Sequence, residues 1–211
     1  MYSHYDLKRI PDGAKPVSVS VNPADIGNKK ALRVTLTEKV TNGEPKVDFV
    51  DMPTFLKIPE NFTNGIITVD LYSRLLNNAP EYARGFAGIA YRINDNHSFE
   101  SVYLRPLNGL KAKPEPPRDS RAVQYFSYPY WQYDRLRTEH PGQFETGANI
   151  GSSEWINLKL VVNGTILKVF INGVENLTLA ETKADVSTGD IGLFVDIGTE
   201  AFFSNLHIKH Q

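Results

Sequence analysis

Cysteine is absent from all 211 residues, which excludes disulfide staples, thiol nucleophiles and cysteine-built zinc sites. A cysteine-free chain is stable in either redox environment, so this absence does not assign a compartment. No apolar run approaches the roughly 18 residues that cross a bilayer, and membrane insertion is not expected. The start of the chain, Met1-Tyr-Ser-His-Tyr-Asp-Leu-Lys-Arg, has no apolar stretch of the secretory kind. No signal peptide is read there, and a mature extracytoplasmic bacterial fragment with an added Met is compatible with it. A surplus of charge is missing too. Lys and Arg number 23 against 24 Asp and Glu, for a net charge of −1. Nucleic-acid-binding domains usually carry a basic surplus, so no nucleic-acid partner is expected. Gly-rich phosphate loops, nucleophile elbows and His-Glu-x-x-His motifs do not occur.

What is present is an average globular composition with an aromatic excess. Hydrophobic residues make up 41% and charged residues 22%, which rules out a disordered tail, a coiled coil or a collagen-like chain. The length suits a single domain spanning 1–211. Aromatic residues reach 11%, ten of them Tyr. Tyrosine in that number suits surfaces that are at once apolar and hydrogen-bonding, the character of a saccharide-binding face. Four triplets match the glycosylation sequon, at Asn61, Asn96, Asn163 and Asn176, a frequency that chance readily produces.

Short β-branched and aromatic runs broken by Gly, Pro and Asn dominate the chain. Val17-Ser-Val-Ser-Val and Ala31-Leu-Arg-Val-Thr-Leu-Thr alternate as half-buried strands do. Gly85-Phe-Ala-Gly-Ile-Ala-Tyr-Arg and Phe99-Glu-Ser-Val-Tyr-Leu-Arg-Pro flank a polar hairpin signal at Asn94-Asp-Asn-His. Trp155-Ile-Asn-Leu-Lys-Leu-Val-Val and Ile166-Leu-Lys-Val-Phe-Ile are followed by Asn163-Gly164 and Asn172-Gly173 turns, which argue for a meander. Ten or so strands without a long helical period predict an all-β, two-sheet antiparallel sandwich. A Pro-rich, basic stretch at about 107–151 interrupts the rhythm. It reads as one long loop or short-helix insertion, with Pro129 at the first position of one or two helical turns that end before Pro141.

The final seventy residues resemble the concanavalin A-like lectin/glucanase superfamily, a jelly roll. The resemblance rests on Trp155-Ile-Asn-Leu-Lys-Leu-Val-Val-Asn-Gly, Leu167-Lys-Val-Phe-Ile-Asn-Gly-Val, Gly189-Asp-Ile-Gly-Leu-Phe-Val and Phe202-Phe-Ser-Asn-Leu-His-Ile. Within that superfamily the series looks like laminin-G-like domains and the 3-keto-disaccharide hydrolase-type domains of bacterial polysaccharide degraders. It extends over roughly residues 45–208. The resemblance implies a carbohydrate partner on a concave sheet, handled by an enzyme (a glycoside hydrolase or a polysaccharide lyase), by a lectin-like binding module, or by a protein-interaction module. Retaining glucanases of this fold carry Glu-x-Asp-x-(x)-Glu on one strand, and this sequence has no such series. No cofactor is required on this reading, and Asp48, Asp51, Asp190 and Asp196 are candidate structural calcium ligands.

Strand alternation assigns the candidate site. Val102 and Leu104 should face the core, which leaves Ser101, Tyr103 and Arg105 on the open face. Gly88, Ala90 and Arg92 of the preceding strand should share it, the small residues leaving room for a ligand. His97 in the hairpin turn, Glu100 and Arg105 are the catalytic candidates. Glu100 reads either as the partner of a rim arginine or as an acid of raised pKa. Arg92, Tyr103 and Gln124 are expected to bind substrate with Tyr128, Trp131, Arg135 and Arg137 of the insertion. Aromatic faces stack on sugar C–H faces, and arginine hints at an acidic sugar or uronate. Packing of the insertion onto the sandwich is the alternative use of Pro129–Tyr133.

Overall fold

The computed structural model describes residues 1–211. In chain order the strands are β1 (Tyr2–Tyr5), β2 (Lys15–Val17), β3 (Val19–Ile26), β4 (Lys29–Leu36), β5 (Phe55–Phe62), β6 (Gly65–Leu75), β7 (Ala87–Ile93) and β8 (Phe99–Leu104). They continue as β9 (Val123–Tyr128), β10 (Glu145–Thr146), β11 (Trp155–Asn163), β12 (Ile166–Ile171), β13 (Val174–Leu179), β14 (Gly189–Val195) and β15 (Thr199–His210). Two short helices, α1 (Glu38–Thr41) and α2 (Tyr133–Glu139), complete the regular structure with three 3-10 turns between Pro106 and Ser120. One sheet runs β13-β12-β11-β6-β15-β4-β3 with β1 added on β15, and the other runs β10-β9-β8-β7-β14-β5-β2. Every strand pairing is antiparallel. The expected all-β two-sheet sandwich is the observed architecture.

Three local expectations shift. The β11–β12 turn is centred on Gly164 and Thr165, because Asn163 stays paired with Ile166 and Gly164 takes the positive φ of 59° at least steric cost. Asn172 and Gly173 do form the next turn, with φ of 49° and 82°, the pair of positive values that a tight hairpin turn needs. The helix of the basic stretch begins at Tyr133, not at Pro129. Strand β9 lies inside that stretch and pairs with β8 throughout, so the irregular chain falls into two pieces on either side of a sheet strand.

The two sheets are buried differently. In β6 and β11 buried and half-buried positions alternate, with Ile67, Val69 and Leu71 facing Ile156, Leu158 and Leu160 of the core. In β7 and β8 every residue is buried, so the middle of this sheet is covered on both faces. Its outer face is aromatic. Phe194 pairs with Gly88, which pairs with Tyr103, and the Phe194 and Tyr103 rings meet over the glycine at 5.5 Å between centroids. Phe126 closes the group, 5.6 Å from Phe194 and 5.7 Å from Tyr103. The room expected for a ligand above Gly88 and Ala90 is therefore filled by rings. Leaving such side chains in water would forgo roughly 1.5–3 kcal/mol each, and residues 45–54 with α2 cover them, burying Phe49 and Leu136 in the common core.

Arg92 departs from its expected face. A φ of 53° at this residue and a register shift opposite it in β14 break the two-residue alternation. Its guanidinium turns inward, donating to Glu100 Oε2 at 2.8 Å, Thr63 O at 2.9 Å, Gly164 O at 2.8 Å and Asn64 Oδ1 at 3.2 Å. Tyr125 donates to the other Glu100 oxygen at 2.7 Å. The pair thus ties the hairpin turns of both sheets together at one end of the sandwich. Replacing Arg92 strands a buried carboxylate, so Arg92→Ala should lower unfolding free energy by about 3–5 kcal/mol, read from urea denaturation. A loss below about 1 kcal/mol would contradict this role.

Candidate functional site

At the opposite end of β8 the covering segments stop short of the sheet and leave a cleft of about 440 Å³. Its floor is Tyr103, Arg105 and Phe86, and its walls are Lys46, Val50 and Asp51 on one side and Tyr133 and Arg137 of α2 on another. Tyr82, Arg84, Asn108, Arg118 and Arg121 form the rim, and Asp196 and Ile197 close the base. The walls are joined through Gln132, which donates to Asp51 O at 2.9 Å, and through Lys46, which pairs with Asp134 at 2.7 Å.

Cations dominate the lining. One buried carboxylate, Glu145, organises three of them: it takes a bidentate contact from Arg137 at 2.8 and 2.7 Å and reaches Arg105 and Arg121 at 3.5 Å each. Arg105 also donates to Tyr103 Oη at 2.8 Å and Gln124 Oε1 at 3.2 Å. The Tyr133 ring collects Lys46, Arg137 and Arg105 at 5.0, 5.1 and 5.6 Å. Arg118 is exposed and makes no ion pair. Burial holds the Tyr103 hydroxyl well above its ordinary range, which keeps it neutral.

Two buried aspartates face this positive ring. Asp196 accepts the backbone N–H groups of Val50, Asp51 and Ile197 at 3.0, 2.9 and 2.7 Å. Asp51 accepts the Tyr133 N–H at 2.7 Å through Oδ2 and faces the Tyr103 hydroxyl, while its Oδ1 is buried without a hydrogen-bond partner. Val50 and Asp51 both hold left-handed backbone, with φ of 69° and 54°, a strained state that a packed surrounding must maintain. Burial, then the charge of Asp196, pushes the Asp51 carboxyl up to about 7. Asp196 is also raised by burial, against the opposing pull of its backbone donors.

No protein-family model matches the chain, and no curated protein sequence does. Solved structures do match. A Bacillus subtilis protein of unknown function with a galectin-like fold aligns over 100% of this chain and 98% of its own, at 12% identity and a TM-score of 0.57. Crh5 transglycosylase, solved in complex with NAG, aligns over 99% and 84% at 10% identity and a TM-score of 0.55. The carbohydrate-binding module CBM66 from Bacillus subtilis aligns over 92% and 97% at 10% identity and a TM-score of 0.50. The chain has a galectin-like jelly-roll fold. At these identities the likeness carries the fold alone.

On this jelly roll the residues singled out from sequence separate into two clefts. Tyr103, Arg105 and Arg137 line the one described above. Gln124 sits behind it, its amide spent on Tyr125 O at 2.7 Å, Phe144 O at 3.3 Å and Arg105. A second cleft, of about 350 Å³, lies at the far end and includes Arg92, Glu100, Tyr128 and Trp131. Glu100 is the buried partner of Arg92. Tyr128 stacks on Phe99 with centroids 5.4 Å apart. The Trp131 ring carries Arg135 at 3.6 Å and Lys183 at 4.5 Å, and Arg135 also pairs with Glu139 at 2.8 Å. His97 stays in the β7–β8 turn, eight residues from Arg105 along the hairpin, roughly 26 Å at strand rise. The catalytic trio expected from sequence, His97, Glu100 and Arg105, therefore does not converge.

The four candidate calcium ligands do not converge either. Asp48 accepts Glu44 N–H at 2.9 Å, and Asp190 accepts Glu60 N–H at 3.2 Å beside Lys57. No group of three or more His, Cys, Asp or Glu side chains is placed to hold a metal ion. Asp51 and Asp196 do meet, as a carboxyl pair that the strand pattern did not mark as a site. The available signal was an acid directly following the apolar run Gly192-Leu-Phe-Val.

The native Asp51 holds a proton that the unfolded chain, at its ordinary 3.8, has lost. Between about pH 4 and pH 7 this group therefore makes stability fall as pH rises. Asp51→Asn removes that contribution, so the variant should gain on the wild type between pH 5 and pH 8 in urea unfolding. An equal offset at both pH values would show that Asp51 ionises normally.

Proposed function

We propose that this protein binds an acidic saccharide in the arginine-ringed cleft above the seven-stranded sheet. The observation that carries the reading is local charge. Arg84, Arg105, Arg118, Arg121 and Arg137 converge with Lys46 in a chain whose net charge is −1. Guanidinium forks match carboxylates in geometry, and the tyrosines of the lining offer faces for sugar C–H groups together with hydroxyls. The volume lies within the range of small-ligand sites, about 300–1,000 Å³. The kinds of protein that share the fold, a carbohydrate-binding module and a transglycosylase, support a saccharide as the ligand class. A protein-interaction module would instead expose an apolar patch at Tyr103, which is 2% exposed and lies among charged side chains.

A second reading, cleavage of the bound glycan, is favoured by one feature: Asp51 is a buried acid with an unpartnered oxygen in the same cleft, as a proton donor would be. New reducing ends or unsaturated products from a uronate oligomer would support it.

Binding is tested by calorimetry with trigalacturonate against the neutral maltotriose. Wild type should bind the uronate and not the neutral sugar. Arg118→Ala should weaken uronate binding about tenfold, the effect of one charge-assisted contact, with unchanged melting temperature because this side chain has no internal ion pair. Equal binding of both sugars would sink the acidic-saccharide reading.

A further inference from the structure

We propose that Asp51 reads the ligand as a carboxylic acid, donating a hydrogen bond from Oδ1 to the incoming carboxylate, so that one proton is taken up with each ligand bound. The inference rests on the acidic-saccharide reading of the cleft. It starts from an unmet valence: Asp51 is 1% exposed, lines the cleft, and leaves Oδ1 without a partner. A buried polar atom in that state costs roughly 1–3 kcal/mol, and the strained backbone at Val50 and Asp51 holds it there. Asn108 Oδ1 is a second unpartnered buried oxygen in the same lining. It is an acceptor, suited to a sugar hydroxyl, whereas a carboxylate ligand needs donors.

The groups packed round Asp51 decide which form it takes. Lys46 comes from its own segment, Tyr103 from β8 and Arg105 from just past its end, the Tyr133 N–H from α2, and Asp196 from the β14–β15 connection. Three backbone donors fix Asp196 as an acceptor. A ligand carboxylate then becomes the third acid in one buried cleft. Each added like charge raises the proton affinity of the others, against the pull of Lys46 and Arg105, so the most buried of them favours keeping a proton. Asp196 has its oxygens occupied by N–H groups, and a uronate is the stronger acid, which leaves Asp51. The arginines neutralise the ligand's charge, and the Asp51 proton adds one donor from Oδ1, which has no partner within the chain. The upward shift of the Asp51 carboxyl, to about 7, keeps the proton available near neutral pH. No bond other than hydrogen bonds forms, and the proton comes from solvent.

Calorimetry of trigalacturonate between pH 6 and pH 9, in HEPES and in Tris, counts protons from the difference in buffer heats. The ligand is fully ionised across this range. Wild type should take up about one proton at pH 8, and its affinity should fall about tenfold per pH unit above roughly pH 7.5. Asp51→Asn offers an amide donor that does not titrate, so it should bind with a flat pH profile and no proton uptake. Wild-type binding that is flat from pH 6 to pH 9 would overturn the proton role and leave the acidic-saccharide reading standing. Absence of wild-type binding at every pH would overturn both. If Asp51→Asn fails to fold, by loss of a cooperative melt, the two-buffer proton count on wild type alone decides.

Discussion

Covering the aromatic outer face of the seven-stranded sheet is the constraint from which the rest of the site follows. The other sheet obeys ordinary alternation and turns a half-buried face outward. Strands β8, β9 and β14 do not: Tyr103, Phe126 and Phe194 project away from the sandwich and would lie in water unless something packs on them. Residues 45–54 and the segment around α2 meet that need, and neither is a strand. Where they cover the rings, the expected sugar platform becomes core. Where they end, a cleft opens at each end of the covered strip, one lined by arginine and the other by Tyr128 and Trp131.

Electrostatics in the first cleft follow from the same covering. The lid segments bring in Lys46, Asp51, Tyr133 and Arg137, while the sheet and the loops beside it supply Arg105, Arg121 and Asp196. Glu145 on the edge strand β10 restrains three arginines at once, so their forks are oriented before any ligand arrives, which lowers the ordering cost of binding. Fixed cations and a pair of buried acids thus face one another across the same cleft.

Much of the fold was legible because β-structure writes itself locally. Alternation in Ala31–Thr37 and Trp155–Val162, and Asn-Gly at 172–173, report strands and a turn from a handful of neighbouring residues. The candidate site was legible in part. Tyr103, Arg105 and Arg137 belong to one cleft as alternation and composition suggested. Arg92 did not follow, because one left-handed residue reverses which face the chain presents, and nothing in a Tyr-Arg-Ile triplet announces it. Trp131 looked like a stacking platform, yet Arg135 and Lys183 lie against its ring, and Lys183 is 52 positions away.

By itself the sequence determined the class of the protein: all-β, antiparallel, free of cysteine, with a basic and aromatic segment set into a neutral chain. These properties depend on composition and on contacts between residues a few positions apart. Tertiary structure alone decided which aromatics became core, which arginines faced a common space, and that Asp51 and Asp196, 145 positions apart, form one buried pair. Burial and like-charge proximity are properties of a place, and both set the state of the Asp51 carboxyl. That place exists only once two distant loops close over the same strip of sheet.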